Sequence, residues 1–327
     1  LNLKDQITES EKPVQTEFKN KFLLKGISSG YNKFYMYALT IVLALTGYFL
    51  YPSLLLIPLF VRAKEVGVDT AEIKANANVL FNADRLVIDR NIMLLIVFSI
   101  FVVTLILFLI GLYKIHKKNL LSVLTGFPRF RKRKFWFGFM LWASLLIFTL
   151  MIQYFLDTEN FTLAFDLPKF LGSLAILLVF IPIQTLWEEI LFRGYTLQGL
   201  SIGLKQGLFP VLITSLIFSL MHMSNPEVKE YGIFSTFFYY FTFGLFLGII
   251  TLMDEGLELA FGIHCANNLI VTIFTTSKVS VLKAYSIFAI EYNNGMAEMM
   301  LSLCMLVATF SIFWIKYKWK NFDLLYR

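Results

Sequence analysis

The chain has 327 residues, of which 57% are hydrophobic, 17% aromatic and only 16% charged, with a mean hydropathy of +0.69. So few charges do not cover a water-facing surface, which excludes a soluble globular enzyme, a disordered tail protein and a fibrous repeat. The net charge of +7 sits between apolar stretches, where it sets topology rather than binding nucleic acid, and the two cysteines, Cys265 and Cys304, support neither a disulfide framework nor a thiolate metal cluster.

In chain order, residues 1–33 carry six Lys and four acids without a compact apolar core and read as a solvated cytoplasmic tail. Eight apolar segments follow, near 34–60, 92–113, 135–156, 169–198, 207–223, 231–252, 257–276 and 296–315. Each is long enough, at about 1.5 Å per residue, to cross a hydrocarbon core of about 30 Å. Backbone groups cannot go unpaired in lipid, so each segment is expected to be a helix. The fold class is therefore an all-α, polytopic transmembrane bundle of about eight spans, and the location an integral multi-pass membrane, the plasma membrane for a bacterial source.

Loop 114–134 holds eight Lys/Arg and no acid, while 62–91 balances five basic against five acidic residues and 157–168 is acidic. Positive loops stay in the cytoplasm. Both chain ends are then expected to be cytoplasmic, and 62–91 extracytoplasmic. Asp254, Glu255 and Glu258 run against this pattern, as a cytoplasmic turn with no basic residue near in sequence. Four regions result: the tail 1–33, the helices of 34–168 with their two loops, a core at 169–276, and a last loop, span and basic tail at 277–327.

Ionisable residues inside spans are expensive and mark functional sites. Here they cluster as Trp187-Glu188-Glu189-Ile190-Leu191-Phe192-Arg193, Phe218-Ser219-Leu220-Met221-His222 and His264-Cys265-Ala266-Asn267-Asn268, with two of the chain's three histidines among them. Glu189 and Arg193 are four apart and pair on one helix face, whereas Glu188 points about 100° around. Glu188, His222, His264 and Asn268 are then free to converge on one pocket, provided that the fourth helix runs on to about residue 198, which levels Glu188 with His222. His116 sits in the basic loop and carries no chemistry, and Gly244 with Gly248 forms a small-x-x-x-small pair suited to close helix approach.

A buried carboxylate takes a proton from water, an imidazole orients that water or protonates a leaving amine, and a second His with an Asn amide stabilises an oxyanion. These are the parts of a water-activating peptidase. Glu188, His222 and His264 equally suit a zinc site, in which the metal lowers the pKa of water. The residues leave that choice open. No H-E-x-x-H, G-x-G-D or G-x-S-x-G motif occurs, and no P-loop or dinucleotide fingerprint.

Glu188-Glu189-x-x-x-Arg193, Phe218-x-x-x-His222 and His264-x-x-x-Asn268, in this order on successive apolar segments, resemble the CAAX protease and bacteriocin-processing (CPBP) family, also called Abi. That family includes the Ras-converting CAAX endopeptidase. The resemblance covers about 169–276. It implies an intramembrane endopeptidase acting on a membrane-embedded or lipid-anchored protein or peptide in the bilayer. Glu188 and His222 would activate water, His264 and Asn268 would form the oxyanion site, and Glu189 and Arg193 would support the geometry. Glutamate-based catalysis without a cofactor is the expected form, with zinc as the alternative. The competing functions are a non-proteolytic peptide-binding or immunity-type scaffold and, from another class, a proton-coupled transporter.

Overall fold

A computed structural model describes residues 18–75, 77–291 and 294–326. Its elements are α1 (Lys21–Ser28), α2 (Phe34–Glu65), α3 (Thr70–Ala75), a 3-10 turn (Ala77–Phe81), α4 (Ala83–Leu86), α5 (Arg90–Lys114), α6 (Leu121–Leu124) and α7 (Lys132–Leu156). After β1 (Phe161–Leu163) come α8 (Leu167–Glu189), a π-helical turn (Ile190–Thr196), α9 (Leu197–Leu204), α10 (Leu208–Met221), α11 (Glu227–Tyr231), α12 (Ile233–Asp254) and α13 (Glu258–Phe274). β2 (Thr275–Thr276), β3 (Phe288–Ile290) and α14 (Gly295–Tyr317) complete the chain.

All eight expected spans are helical. Six are long and apolar enough to cross a membrane among the described residues, and α8, the π turn and α9 form one of them, Leu167–Leu204, continuous past residue 198 as expected. The other two, α10 and α13, are shorter, at 14 and 17 residues. The protein is an integral, multi-pass helical membrane protein. Its strands are minor: β3 pairs antiparallel with β1 and parallel with β2, closing one end of the bundle.

Helices approach closely where glycine removes the Cβ. A Cβ on Gly262 of α13 would stand 2.2 Å from the Phe135 carbonyl oxygen, and one on Gly138 of α7 would stand 2.8 Å from that of Leu259. Two backbones therefore touch along α7 and α13, which fixes α13 and the His264 it carries. Gly248 likewise admits Val211, and Gly244 admits Ser215 and Arg193, so the small-residue pair does seat α12 on α10.

The expected solvated tail needs correction from residue 18 onward; residues 1–17 lie outside the described residues. Helix α1 has an apolar face whose Phe22 and Leu23 are fully buried in the main core. The Asn20 side chain caps α1 and donates to the carbonyls of Leu252 (2.9 Å) and Leu324 (3.1 Å), tying the N-terminal segment to α12 and to the end of the chain. After α2, the short helices α3 and α4 close a small core of Leu59, Ala63, Ile73, Leu80, Ala83, Leu86 and Met93.

The acidic turn that opposed the charge pattern finds its cations through space. Arg131 Nη2 meets Asp254 at 2.8 Å and Glu258 at 2.6 Å, Lys134 also pairs with Asp254, and Lys21 Nζ lies 3.8 Å from Glu255. The 254–258 turn thus shares a face of the bundle with the basic loop. His116, the loop's histidine, is fully buried, its Nδ1 2.7 Å from the Tyr31 carbonyl and its Nε2 2.5 Å from the Tyr195 hydroxyl.

Lys118 is buried beside it, and its ammonium donates to the Gly26 carbonyl (2.9 Å), Asn32 Oδ1 (2.6 Å) and the Tyr37 hydroxyl (3.0 Å), none of them a carboxylate. Burial pushes this group down from 10.5 to about 8. Between these values the unfolded chain binds a proton that the folded chain does not, so the stability that Lys118 contributes rises with pH over this window. The melting temperature of the wild type in detergent, relative to Lys118→Met, is expected to climb between about pH 7.5 and pH 10. A difference that stays constant would contradict the assignment.

Candidate active site

Glu188 and Glu189 close α8, and the π turn begins at the next residue. A π turn is wider than an α turn and commonly marks a functional site. Here it carries Arg193 and Tyr195 into the core, with Gly194 so close to the α6 backbone that a Cβ would stand 2.5 Å from the Val123 carbonyl oxygen.

Glu189 and Arg193 are both wholly shielded from solvent, and Arg193 Nη1 donates to Glu189 Oε1 at 2.9 Å. The guanidinium lies 4.3 Å from the centre of the Phe218 ring. The expectation that this pair leaves His264 free is not met. Nδ1 of His264 stands 2.7 Å from the same Glu189 oxygen, and its Nε2 3.5 Å from Glu188 Oε2. A carboxylate only accepts, so the bond to Glu189 places a proton on Nδ1 and turns Nε2 toward Glu188. The two adjacent glutamates do diverge, but the imidazole spans the distance between them.

One Glu188 oxygen, Oε1, accepts from Gln184 Nε2 at 2.6 Å. The other, Oε2, is buried with no hydrogen-bond partner. Gln184 Oε1 in turn accepts from Asn268 Nδ2 at 3.1 Å, which connects Asn268 to Glu188 through an intermediary. Gln184 is not among the ionisable residues that stand out in the sequence. It was detectable, being an amide one helical turn before Glu188 within an apolar span.

His222 ends α10. Its Nδ1 lies 2.7 Å from the Phe218 carbonyl, which accepts the Nδ1 proton, so the neutral ring presents Nε2 as an acceptor. The ring stacks on Tyr240 with centroids 4.0 Å apart. Phe218 stands between the two histidines, its ring centre 4.4 Å from His222 and 6.1 Å from His264. Tyr240 and Asn225 both bond Glu227, which joins α12 to the turn after His222.

The zinc alternative requires Glu188, His222 and His264 to converge. Among the described residues no three His, Cys, Asp or Glu side chains are gathered in a way that could hold a metal ion.

The site is thus a buried carboxylate pair, two imidazoles and an amide, held at the junction of α8, α10 and α13 inside a membrane bundle. Residues 167–270 match the family model described as type II CAAX prenyl endopeptidase Rce1-like. A protein of Bacillus subtilis (strain 168), named uncharacterized protein YyaK, is 31% identical over 186 residues, covering 56% of this chain. The aligned part spans 62% of that relative. No solved structure matches the chain.

Removing the Glu189 charge strands Arg193 without its counter-ion in a site closed to water. Glu189→Gln is therefore expected to cost about 3–5 kcal/mol. Glu188 has no such cation to satisfy, and Glu188→Gln is expected to fold as the wild type does. Thermal unfolding in detergent compares them; equal melting temperatures for the two variants would contradict this division of roles.

Proposed function

We propose that the chain is an intramembrane endopeptidase that hydrolyses a peptide bond in a membrane-associated or lipid-anchored protein or peptide. The observation that carries this reading is the asymmetry of Glu188. One of its oxygens is held by Gln184, while the other is buried, unbonded and turned toward His264 Nε2 at 3.5 Å.

In the proposed reaction Glu188 removes a proton from water, and the resulting hydroxide attacks the scissile carbonyl. His222, with its Nδ1 proton fixed on the Phe218 carbonyl, offers Nε2 to orient the water, then takes from Glu188 the proton that came from the water and passes it to the amine as the C–N bond breaks. The second Asn268 amide proton donates to the developing oxyanion, and so does His264 Nε2–H in the imidazolium form, which carries a proton on each ring nitrogen. Because Glu188 Oε2 and His264 Nε2 face each other, water activation and oxyanion stabilisation occur at one place. Glu189 and Arg193 hold His264 and take no part in proton transfer. This arrangement needs no cofactor, and the bilayer supplies both the substrate and the low dielectric.

Cleavage of a panel of membrane peptides and lipid-anchored substrates, by wild type and by Glu188→Ala, each with and without a strong zinc chelator, tests the reading. The expected result is cleavage that survives chelation and falls at least about 10³-fold in the variant. Loss in both arms would assign the water activation to a metal. A wild type that cuts nothing, together with a Glu188→Ala protein that keeps its cellular effect, would replace the protease with a peptide-binding scaffold.

A further inference from the structure

The site amides belong to a longer series of hydrogen bonds that crosses three helices. Trp142 of α7 donates its Nε1 proton to Asn267 Oδ1 at 3.1 Å. Asn267 Nδ2 donates to Asn268 Oδ1 at 3.2 Å, and Asn268 Nδ2 donates to Gln184 Oε1 at 3.1 Å. Gln184 Nε2 then donates to Glu188 Oε1 at 2.6 Å. Both ends of this series have fixed polarity, since an indole N–H only donates and a carboxylate only accepts. Every amide between them is therefore held in one of its two orientations.

We infer that Trp142, Asn267 and Gln184 are positioning residues that orient the Asn268 amide and the Glu188 carboxylate for the reaction. The inference rests on the proposed peptidase reading and adds three residues to it. Trp142 sets the direction: with Asn267 Oδ1 occupied by the indole, Asn267 has only its amine to give to Asn268. Asn268 then turns its own amine toward α8, so one amide proton goes to Gln184 and the second is left for an oxyanion. Gln184 receives that bond on its oxygen and gives its amine to Glu188 Oε1, which leaves Oε2 as the reactive oxygen. Reversing Gln184 would present its oxygen to the Glu188 carboxylate, and reversing Asn268 would turn its amine away from Gln184.

The burial of the partners explains why orientation persists. Trp142 is 1% exposed and Gln184 8% exposed, so water does not compete freely for these groups. A buried donor or acceptor left unsatisfied is costly, which couples the bonds to one another.

Three variants of nearly unchanged volume separate this role from mere packing. Asn267→Asp keeps the acceptor for Trp142 but offers Asn268 an acceptor in place of a donor. Gln184→Met removes the link altogether. Gln184→Glu keeps the acceptor for Asn268 and replaces the donor to Glu188 with a second carboxylate oxygen. Purified full-length proteins in nanodiscs, labelled with ¹⁵N in tryptophan and assigned through Trp142→Phe, provide the indole N–H resonance, and cleavage assays provide kcat and KM.

The expected result is a loss in kcat of about 10- to 100-fold in all three, the range that follows removal of groups that orient a reactive residue, with KM within about twofold. The Trp142 resonance moves in Asn267→Asp and Gln184→Met and stays in Gln184→Glu. The Asn267→Asp/Gln184→Met double variant loses no more than the worse single one, as expected for two breaks in one series. An indole resonance indifferent to Gln184→Met, or losses that multiply in the double variant, would overturn the inference. A wild type that cleaves no substrate would remove the peptidase reading, and with it the catalytic purpose, whereas the indole shift would still decide whether the series exists.

Discussion

A carboxylate sealed from water has to find its cation inside the protein, and Glu189 finds two partners. Arg193 reaches it from the π turn of the same helix and His264 from α13, both on one oxygen. The cost of leaving any of the three unpaired in a bilayer is large. This shared bond therefore draws α13 against the end of α8 and fixes the height and the rotation of each. Glu188, the next residue, inherits its position from that constraint. So does the imidazole face that Glu188 meets.

The surrounding fold is arranged to keep this centre closed. Phe218 covers the guanidinium and separates the two imidazoles, and Gly244 allows α12 to pass over Arg193. At one face of the bundle the basic loop, the 254–258 turn and the segment from residue 18 are joined by ion pairs and by Asn20. His116 and Tyr195 extend that face inward to the π turn. The turn is thus supported from below by polar contacts and from the sides by apolar ones, which explains how a wide helical turn persists in the middle of a span.

Much of the site was legible before any fold was known, because lipid makes ionisable residues conspicuous. Glu188, Glu189, Arg193, His222, His264 and Asn268 stand out from runs of Leu, Phe and Ile, and the i,i+4 relation of Glu189 and Arg193 needs only helical geometry. The link of His264 to Glu189 was not legible. Its two ends are 75 residues apart, and nothing in local spacing says which of two adjacent glutamates an imidazole on another helix will meet. Gln184 and Trp142 escaped for a related reason: an amide or an indole is inexpensive enough in an apolar helix to pass as ordinary packing.

The amino-acid sequence by itself determined the approximate limits of the apolar helices, the grouping of polar residues on three of them and the continuity of the fourth span. These follow from local hydrophobicity and from the rise and twist of a helix, which are properties of neighbouring residues. The tertiary structure alone decided that residues 18–33 dock instead of trailing in solvent, that the acidic 254–258 turn is neutralised by Arg131 and Lys134, and that one imidazole joins both glutamates. Each of these depends on which helix faces meet. That is settled by long-range ion pairs and close glycine contacts formed together, and no single segment carries that information.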